Sequence, residues 1–323
     1  MKILVTGGSG FIGSHLCERL LADGHKVINL DNFCDFYDPK IKRSNISWSQ
    51  KQVNYHLCEG DIRDQDFVEK VFRENEIEMV IHVAAMAGVR PSIENPQLYC
   101  TVNVNGTQNL LEACRKHQIK KFIFASSSSI YGNNRKVPFA ETDSVDHPIS
   151  PYAATKKMGE LLCYSYHYLF DMSMICLRFF TVYGPRQRPD LAIYKFTKFL
   201  LEGTEIPLFG DGSTSRDYTF YKDIINGIMG AAEYVNAHKC YEIFNLGESQ
   251  TITLKKMVTT IEKELDIKGK YKWLEMQQGD VNITYSDITK AKEMLGYAPD
   301  TEFSAGIREF VKWFKNNINI SEE

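Results

Sequence analysis

Lys2-Ile3-Leu4-Val5-Thr6-Gly7-Gly8-Ser9-Gly10-Phe11-Ile12-Gly13 opens the chain: an apolar run of strand length, a cluster of glycines, then a helical pattern with apolar residues at 12, 16, 20 and 21. Strand, glycine turn and helix in that order leave free backbone N–H groups at a helix N-terminus with no side chain in front of them. That is a cradle for a diphosphate. Two glycine registers overlap, Gly8-x-Gly10-x-x-Gly13 and Gly7-x-x-Gly10-x-x-Gly13, and both stay open at this stage. A glycine triplet alone says little. It gains meaning from the next apolar run, Lys26 to Leu30, which ends in Asp31. An acid about 20 residues downstream accepts from the adenosine ribose hydroxyls and repels a 2'-phosphate. The expected cofactor is therefore NAD rather than NADP, with Lys40, Lys42 and Arg43 read as a solvated basic loop.

Further short apolar runs recur at 53–57, 79–84, 121–125, 174–179 and 241–246, with helical patterns between most of them. Strand alternating with helix predicts an α/β fold, a doubly wound parallel sheet of Rossmann type with a smaller C-terminal substrate-binding domain. The rhythm breaks after Phe180 at Tyr183-Gly184-Pro185-Arg186-Gln187-Arg188-Pro189. The expected division is 1–180 for the dinucleotide domain and 181–323 for the substrate domain, with 218–246 crossing back to the first. A chain of 323 residues with 43% hydrophobic content has enough apolar mass for two such cores. A net charge of −3 gives no general pull towards nucleic acid or a membrane surface, and no apolar run approaches the roughly 18 residues that cross a bilayer. The expectation is a soluble, cytoplasmic protein. Eight scattered cysteines without a C-x-x-C pair offer no metal site, and His82 reads as a core residue.

The second informative stretch is Ser150-Pro151-Tyr152, with Lys156 four residues on. Serine as cap and proline at the first helical position start a helix, so Tyr152 and Lys156 share one face. A free phenol titrates near pH 10. A lysine cation and an oxidised nicotinamide nearby favour the phenolate, which would make Tyr152 a general base near neutrality. Tyr-x-x-x-Lys is common in any proteome; here it follows a dinucleotide turn.

In this order the motifs resemble the extended short-chain dehydrogenase/reductase family, and within it the nucleotide-sugar 4-epimerases, over essentially the whole chain. The resemblance implies a cofactor site of Gly7, Gly10, Phe11, Ile12, Gly13, Asp31, Asn32, Asp61, Ile62, Ala84, Ala85, Asn103, Tyr152 and Lys156. It also implies that Ser127 joins Tyr152 and Lys156 as the catalytic set, sharing a hydrogen bond with the sugar 4-hydroxyl. Dehydratases of this family carry Asp-Glu immediately after that position, and the decarboxylases carry Glu at the second place; here stand Ser128 and Ser129. Serine cannot do the proton abstraction that elimination needs, which leaves epimerisation.

For the substrate, the resemblance implies a UDP-sugar. Phe209 would stack on uracil, Arg216 grip the diphosphate and Asp280 close on the ribose. Asp31-Asn32-Phe33, Ala87-Gly88-Val89-Arg90 and Phe180-Thr181-Val182-Tyr183-Gly184-Pro185 with Arg188-Pro189-Asp190 are similar to the UDP-glucuronate 4-epimerases. Arg90 would then be a substrate contact, and Ser128, Ser129, Thr181 and Arg188 a polar, cationic nest for the C6 carboxylate. The alternatives are a UDP-glucose or UDP-N-acetylglucosamine 4-epimerase, or a non-catalytic NAD-binding scaffold of the same fold. Gln97 to His117 and Tyr152 to Leu169 read as long helices, which in this family form a four-helix homodimer interface.

Overall fold

In this computed structural model residues 1–275 and 281–317 are described. Strands β1 (Lys2–Thr6), β2 (Lys26–Asp31), β3 (Tyr55–Glu59), β4 (Met79–His82), β5 (Lys121–Ser127) and β6 (Ser173–Phe179) come first. After the short strands β7 (Thr181–Tyr183), β8 (Glu205–Phe209), β9 (Ser215–Arg216) and β10 (Tyr218–Phe220), β11 (Tyr241–Leu246) returns. Seven of them form one sheet in the order β11-β6-β5-β4-β1-β2-β3, every neighbouring pair parallel. The order reverses between β1 and β4, so a crevice opens at their carboxyl ends, where the glycine turn lies.

The seven apolar runs are the seven strands of this sheet. One is displaced: the run at 53–57 becomes a strand at 55–59, because Val53 is 98% exposed and β3 is an edge strand with no fully buried residue. β4 stops at His82 rather than at 84, since the chain leaves the sheet there to pass along the crevice.

Helices cover both faces. On one side α1 (Phe11–Ala22) packs with a helix that crosses back late in the chain. Between come α2 (Pro39–Asn45), α3 (Gln65–Glu74), α4 (Val89–Glu94), α5 (Pro96–Cys100), α6 (Gly106–Lys116), α7 (Pro151–Phe170) and α8 (Ala192–Glu202). The late partner of α1 is α9 (Tyr221–Ala237), and their Leu16, Leu20, Ile224 and Ile228 share a core. On the other side α3, α6 and α7 bury Val68, Leu110 and Cys163. The long helix predicted from Gln97 is interrupted: Thr101–Asn105 forms a π-helical turn between α5 and α6, a feature that frequently marks functional sites.

A third core, with Tyr183, Phe196, Met257, Phe310 and Phe314, joins α8 and β8 to α10 (Leu254–Leu265) and, beyond α11 (Thr289–Leu295), to α12 (Phe303–Asn317). α9 and β11 return to the sheet, β11 pairing with β6. A second return was not foreseen. Ile288, Ala291 and Tyr297 join the core of α1 and α9, yet α11 buries only Ala291 and so carries no periodic signal. Among the described residues no helix is long and apolar enough to cross a membrane.

Candidate functional site

The glycine turn resolves the register. Gly7 takes the left-handed φ of +71°, and a Cβ on Gly13 would collide with the Gly7 carbonyl oxygen, so α1 can approach the turn only with glycine there. Gly8 instead faces inward against Asn29 and Cys17. The working set is therefore Gly7, Gly10 and Gly13. Gly10 caps α1 without any side-chain hydrogen bond, which leaves the helix N–H groups for an anion. Asp31 is held at the end of β2, Oδ2 accepting from Ser9 N (3.0 Å) and Oδ1 from Phe33 N (2.9 Å). Asn32 Nδ2 donates to Asp61 Oδ2 (2.8 Å), and the Arg63 fork closes on the same carboxylate. Burial works against the Asp61 anion, but these hydrogen bonds outweigh it and hold its pKa below the usual range.

The basic stretch is solvated at Lys40 and Arg43, as expected, but not at Lys42. Lys42 is 5% exposed and donates to Cys34 O (2.6 Å) and Sγ (3.0 Å). Arg43 forks onto Glu59 and lies over Phe33. Both charges are engaged within the protein.

A cavity of about 560 Å³ runs from the turn to Thr181 and Arg188, within the roughly 300–1,000 Å³ typical of ligand sites. Every expected cofactor residue except Asn103 lies on its wall. Asn103 stands apart from them. It is 2% exposed in the π-turn, where Oδ1 accepts from Met86 N (2.8 Å) and Nδ2 donates to Met86 O (2.9 Å) and Thr155 Oγ1 (3.0 Å). Its amide ties the 83–88 segment to α7. His82 sits beside it as a core residue, bridging Thr6 Oγ1 (2.7 Å) and Thr107 Oγ1 (2.9 Å). Burial lowers its pKa to about 3, so it is neutral.

Ser150 Oγ accepts from Ala153 N (3.2 Å) and Pro151 takes the first turn, as read. The chemistry around Tyr152 differs from the expectation. Lys156, 4% exposed, donates from Nζ to Ala125 O (2.6 Å) and lies over the Phe124 ring, and burial brings its pKa down to about 7. Burial also raises the Tyr152 phenol, opposed by a hydrogen bond with Ser127 and by the charge of Arg188. Lys156 Nζ is directed at the carbonyl of Ala125 on β5, and the charge that opposes burial at the phenol is that of Arg188. Ser127 itself is 8% exposed and ends β5, its Oγ donating to Ser129 Oγ (3.2 Å).

Of the expected substrate residues, Ser127, Thr181 and Arg188 line the cavity. Ser128 and Ser129 follow the wall residue Ser127 in a 3-10 turn, both half-buried. Arg90 and Phe209 meet each other, the guanidinium 5.2 Å from the ring centroid; Arg216 lies on β9, donating to Ser215 O and Asn282 O. Asp280 lies outside the described residues. Arg188 points two donors at Asp190 (2.9 and 2.8 Å) and rests over Phe36. Sequence reasoning missed Phe36 and Tyr99. Tyr99 donates to Ala87 O (3.0 Å) and meets Tyr152 edge-on at 6.2 Å, a contact between distant helices for which spacing carries no signal.

The profile of the GDP-mannose 4,6-dehydratase family matches residues 4–310. This chain belongs to that extended short-chain dehydrogenase/reductase family. A UDP-glucuronate 4-epimerase of Thermodesulfobacterium geofontis is 40% identical over 318 residues, 98% of this chain and 97% of that one. The Bacillus cereus UDP-glucuronic acid 4-epimerase, solved with UDP-glucuronic acid and NAD, superposes with a TM-score of 0.92 at 37% identity, covering 98% of this chain and 99% of the other. A Thermotoga maritima UDP-glucose 4-epimerase solved with UDP-glucose gives 0.90 at 33%, covering 98% and 100%. In this family member, then, the glycine turn, Asp31 and the Tyr152 wall enclose one continuous cavity.

Proposed function

We propose that this protein is an NAD-dependent isomerase that interconverts UDP-glucuronate and UDP-galacturonate through a 4-keto sugar. The observation that carries the reading is that the Tyr152 phenol and Ser127 share the wall of a cavity that begins at the Gly7–Gly13 turn. The residues fit the cofactor: a glycine-only approach for the diphosphate and an Asp31 carboxylate for the ribose. Gly7, Gly10 and Gly13 would hold the diphosphate, Asp31 and Asn32 the ribose, and Asp61 and Ile62 the adenine. When bound, NAD supplies the acceptor and later the donor of the C4 hydrogen with its electron pair. Tyr152 Oη takes the proton from O4 and gives it back, and Ser127 Oγ orients that hydroxyl. Lys156 serves the nicotinamide side of the site. Between the half-reactions the keto sugar turns about its diphosphate linkage, so the two faces of C4 are offered in succession and no net redox change results.

Although the family is named for a dehydratase, the acid pair of such enzymes is replaced here by Ser128 and Ser129, so these two positions offer no carboxylate for proton abstraction at C5. A uronic acid adds a hazard, since a C4 ketone is β to the C6 carboxylate and such acids lose carbon dioxide when the C5–C6 bond aligns with the carbonyl. We assign Arg188, with Thr181, to hold that carboxylate out of alignment. Its remaining guanidinium N–H groups, beyond the two given to Asp190, suit a carboxylate.

Purified protein incubated with UDP-glucuronate and no added reductant should yield UDP-galacturonate alone on chromatography. A UDP-pentose would overturn the clamp, and turnover of UDP-glucose or UDP-N-acetylglucosamine without UDP-glucuronate would move the substrate to the neutral sugars. Arg188→Ala should lower kcat/KM for UDP-glucuronate by about 10²-fold, the worth of a charge-assisted pair of hydrogen bonds, and for UDP-glucose far less. Equal losses would reassign Arg188 to the diphosphate.

The reading includes a cytoplasmic homodimer. All eight cysteines are unpaired, which suits a reducing compartment. α7 leaves Met158, Leu161, Tyr164 and Tyr168 between 45% and 77% exposed along one face, and it packs beside α5 and α6, so a second copy would complete four helices. Leu161→Arg should convert a dimer to a monomer in sedimentation; a monomeric parent protein would end this part of the reading.

A further inference from the structure

Arg188 reaches the cavity at the end of a turn whose geometry is unusual two residues earlier. Gly184 has φ +138° and Arg186 φ +66°, a left-handed conformation that residues with a Cβ avoid. Gln187 N closes the turn on Gly184 O (3.1 Å). What holds Arg186 there is α1. Its Nη2 donates to Glu18 Oε1 (2.7 Å) and its Nη1 to the buried Ser14 Oγ (3.3 Å), while His15 Nε2 donates to Pro185 O (2.9 Å) with its ring stacked on Tyr221 at 3.9 Å. Ser14, His15 and Glu18 form the face of α1 turned to this loop, and Phe11, Ile12 and Gly13, just before them, line the cofactor end of the cavity. The loop that delivers Arg188 is therefore fastened to the same helix that meets the cofactor.

We propose that Arg186, held by Glu18, is a positioning residue for Arg188: the pair locks the left-handed turn that aims the Arg188 guanidinium at the substrate. The inference rests on the reading that Arg188 grips the sugar carboxylate. The pair lies on the wall of a second cavity, bounded by His15, Tyr194 and Trp313, so it can be altered without touching the first.

The test is a double-mutant cycle on the full-length, NAD-loaded protein. Glu18→Gln and Arg186→Gly, the glycine keeping the φ while removing the fork, are each measured alone and with Arg188→Ala, on UDP-glucuronate and UDP-glucose. Each single variant should raise KM for UDP-glucuronate about ten-fold, the size of coupling between neighbouring groups, with kcat and the UDP-glucose constants within about two-fold. In the Arg188→Ala background neither should add anything, and Arg186→Lys should restore part of the loss. Additive losses, or equal losses on both sugars, would overturn the proposal, as would a fall in bound NAD, which would mean that the pair acts through α1 alone. If Arg188→Ala itself fails to separate the two sugars, the carboxylate reading falls. The cycle then stands on whichever sugar is turned over, where non-additivity of Glu18 and Arg188 is still required.

Discussion

Tyr152→Phe is expected to lower kcat by about 10²- to 10⁴-fold, the usual worth of a positioned general base, while bound NAD and UDP-sugar affinity stay close to those of the parent. The substitution removes one oxygen and keeps the ring that meets Tyr99 edge-on, so packing on α7 is preserved. The lost oxygen is the group whose ionisation the site controls. Burial raises its pKa in the protein without ligands, with Ser127 and Arg188 pulling the other way. The phenol is therefore protonated at rest, and a further positive charge beside it is needed to make the phenolate; an oxidised nicotinamide is such a charge. Because the base is the deprotonated form, the parent rate should rise with pH through the phenol's titration in the loaded enzyme, and that rise should disappear in the phenylalanine variant. Single-turnover rates across pH, with NAD content and calorimetric UDP-sugar binding alongside, read all three quantities. A variant within a few-fold of the parent rate would mean that another group takes the O4 proton, and the mechanism would be abandoned.

Much of this site was legible in the chain because its parts are local. The glycine turn, Asp31 at a strand end and the Ser150-Pro151 cap each depend on a few consecutive residues, and each stands where its spacing placed it. The interactions that tune the site are not local. Lys156 shares a helix face with Tyr152, as i and i+4 require, yet its ammonium belongs to Ala125 O on β5, and no spacing rule reports a carbonyl on a neighbouring strand. Asn103 lies in a π-turn where its amide binds Met86 and Thr155, and one extra residue in a helical turn leaves the apolar pattern almost unchanged. Arg188 was legible as a residue, but not its fork with Asp190 or its ledge on Phe36.

The same holds for the support under Ser127. Arg178 and Glu160, both at most 1% exposed, form a bidentate pair. Ser126 Oγ donates to that carboxylate (2.7 Å), and Arg178 also donates to Tyr131 OH (2.8 Å). A buried charge pair is tolerable only when its hydrogen bonds are satisfied, and here they tie β5, β6 and α7 together directly beneath the reacting groups. In the sequence these are four separate polar residues in otherwise apolar or helical stretches.

The turn at the other end of the cavity offers the sharpest structural test. Gly13→Ala is expected to reduce NAD affinity by about 10²-fold or more, the cost of displacing a binding group by about 1 Å. The added methyl would collide with the Gly7 carbonyl oxygen and approach Gly8 Cα at 2.8 Å. Neither can yield cheaply: Gly7 O already accepts from Gly10 N (3.1 Å), Gly7 N donates to Leu30 O (2.8 Å), and Gly7 packs so closely on Ala84 that a Cβ there would stand 2.8 Å from its backbone. The helix must move instead, carrying its N-terminal N–H groups away from the diphosphate. Phe11, Leu16 and Leu20 of α1 lie in the core, so the melting temperature without cofactor must be recorded to separate a lost cradle from a lost fold. Gly10→Ala supplies the graded control. Its methyl would stand 3.3 Å from the same oxygen, a contact relieved by a few tenths of an ångström, and its NAD loss should be markedly smaller. If Gly13→Ala kept the parent's NAD affinity with an unchanged melting temperature, α1 would not need this close approach, and the diphosphate would have to be held by something other than the turn.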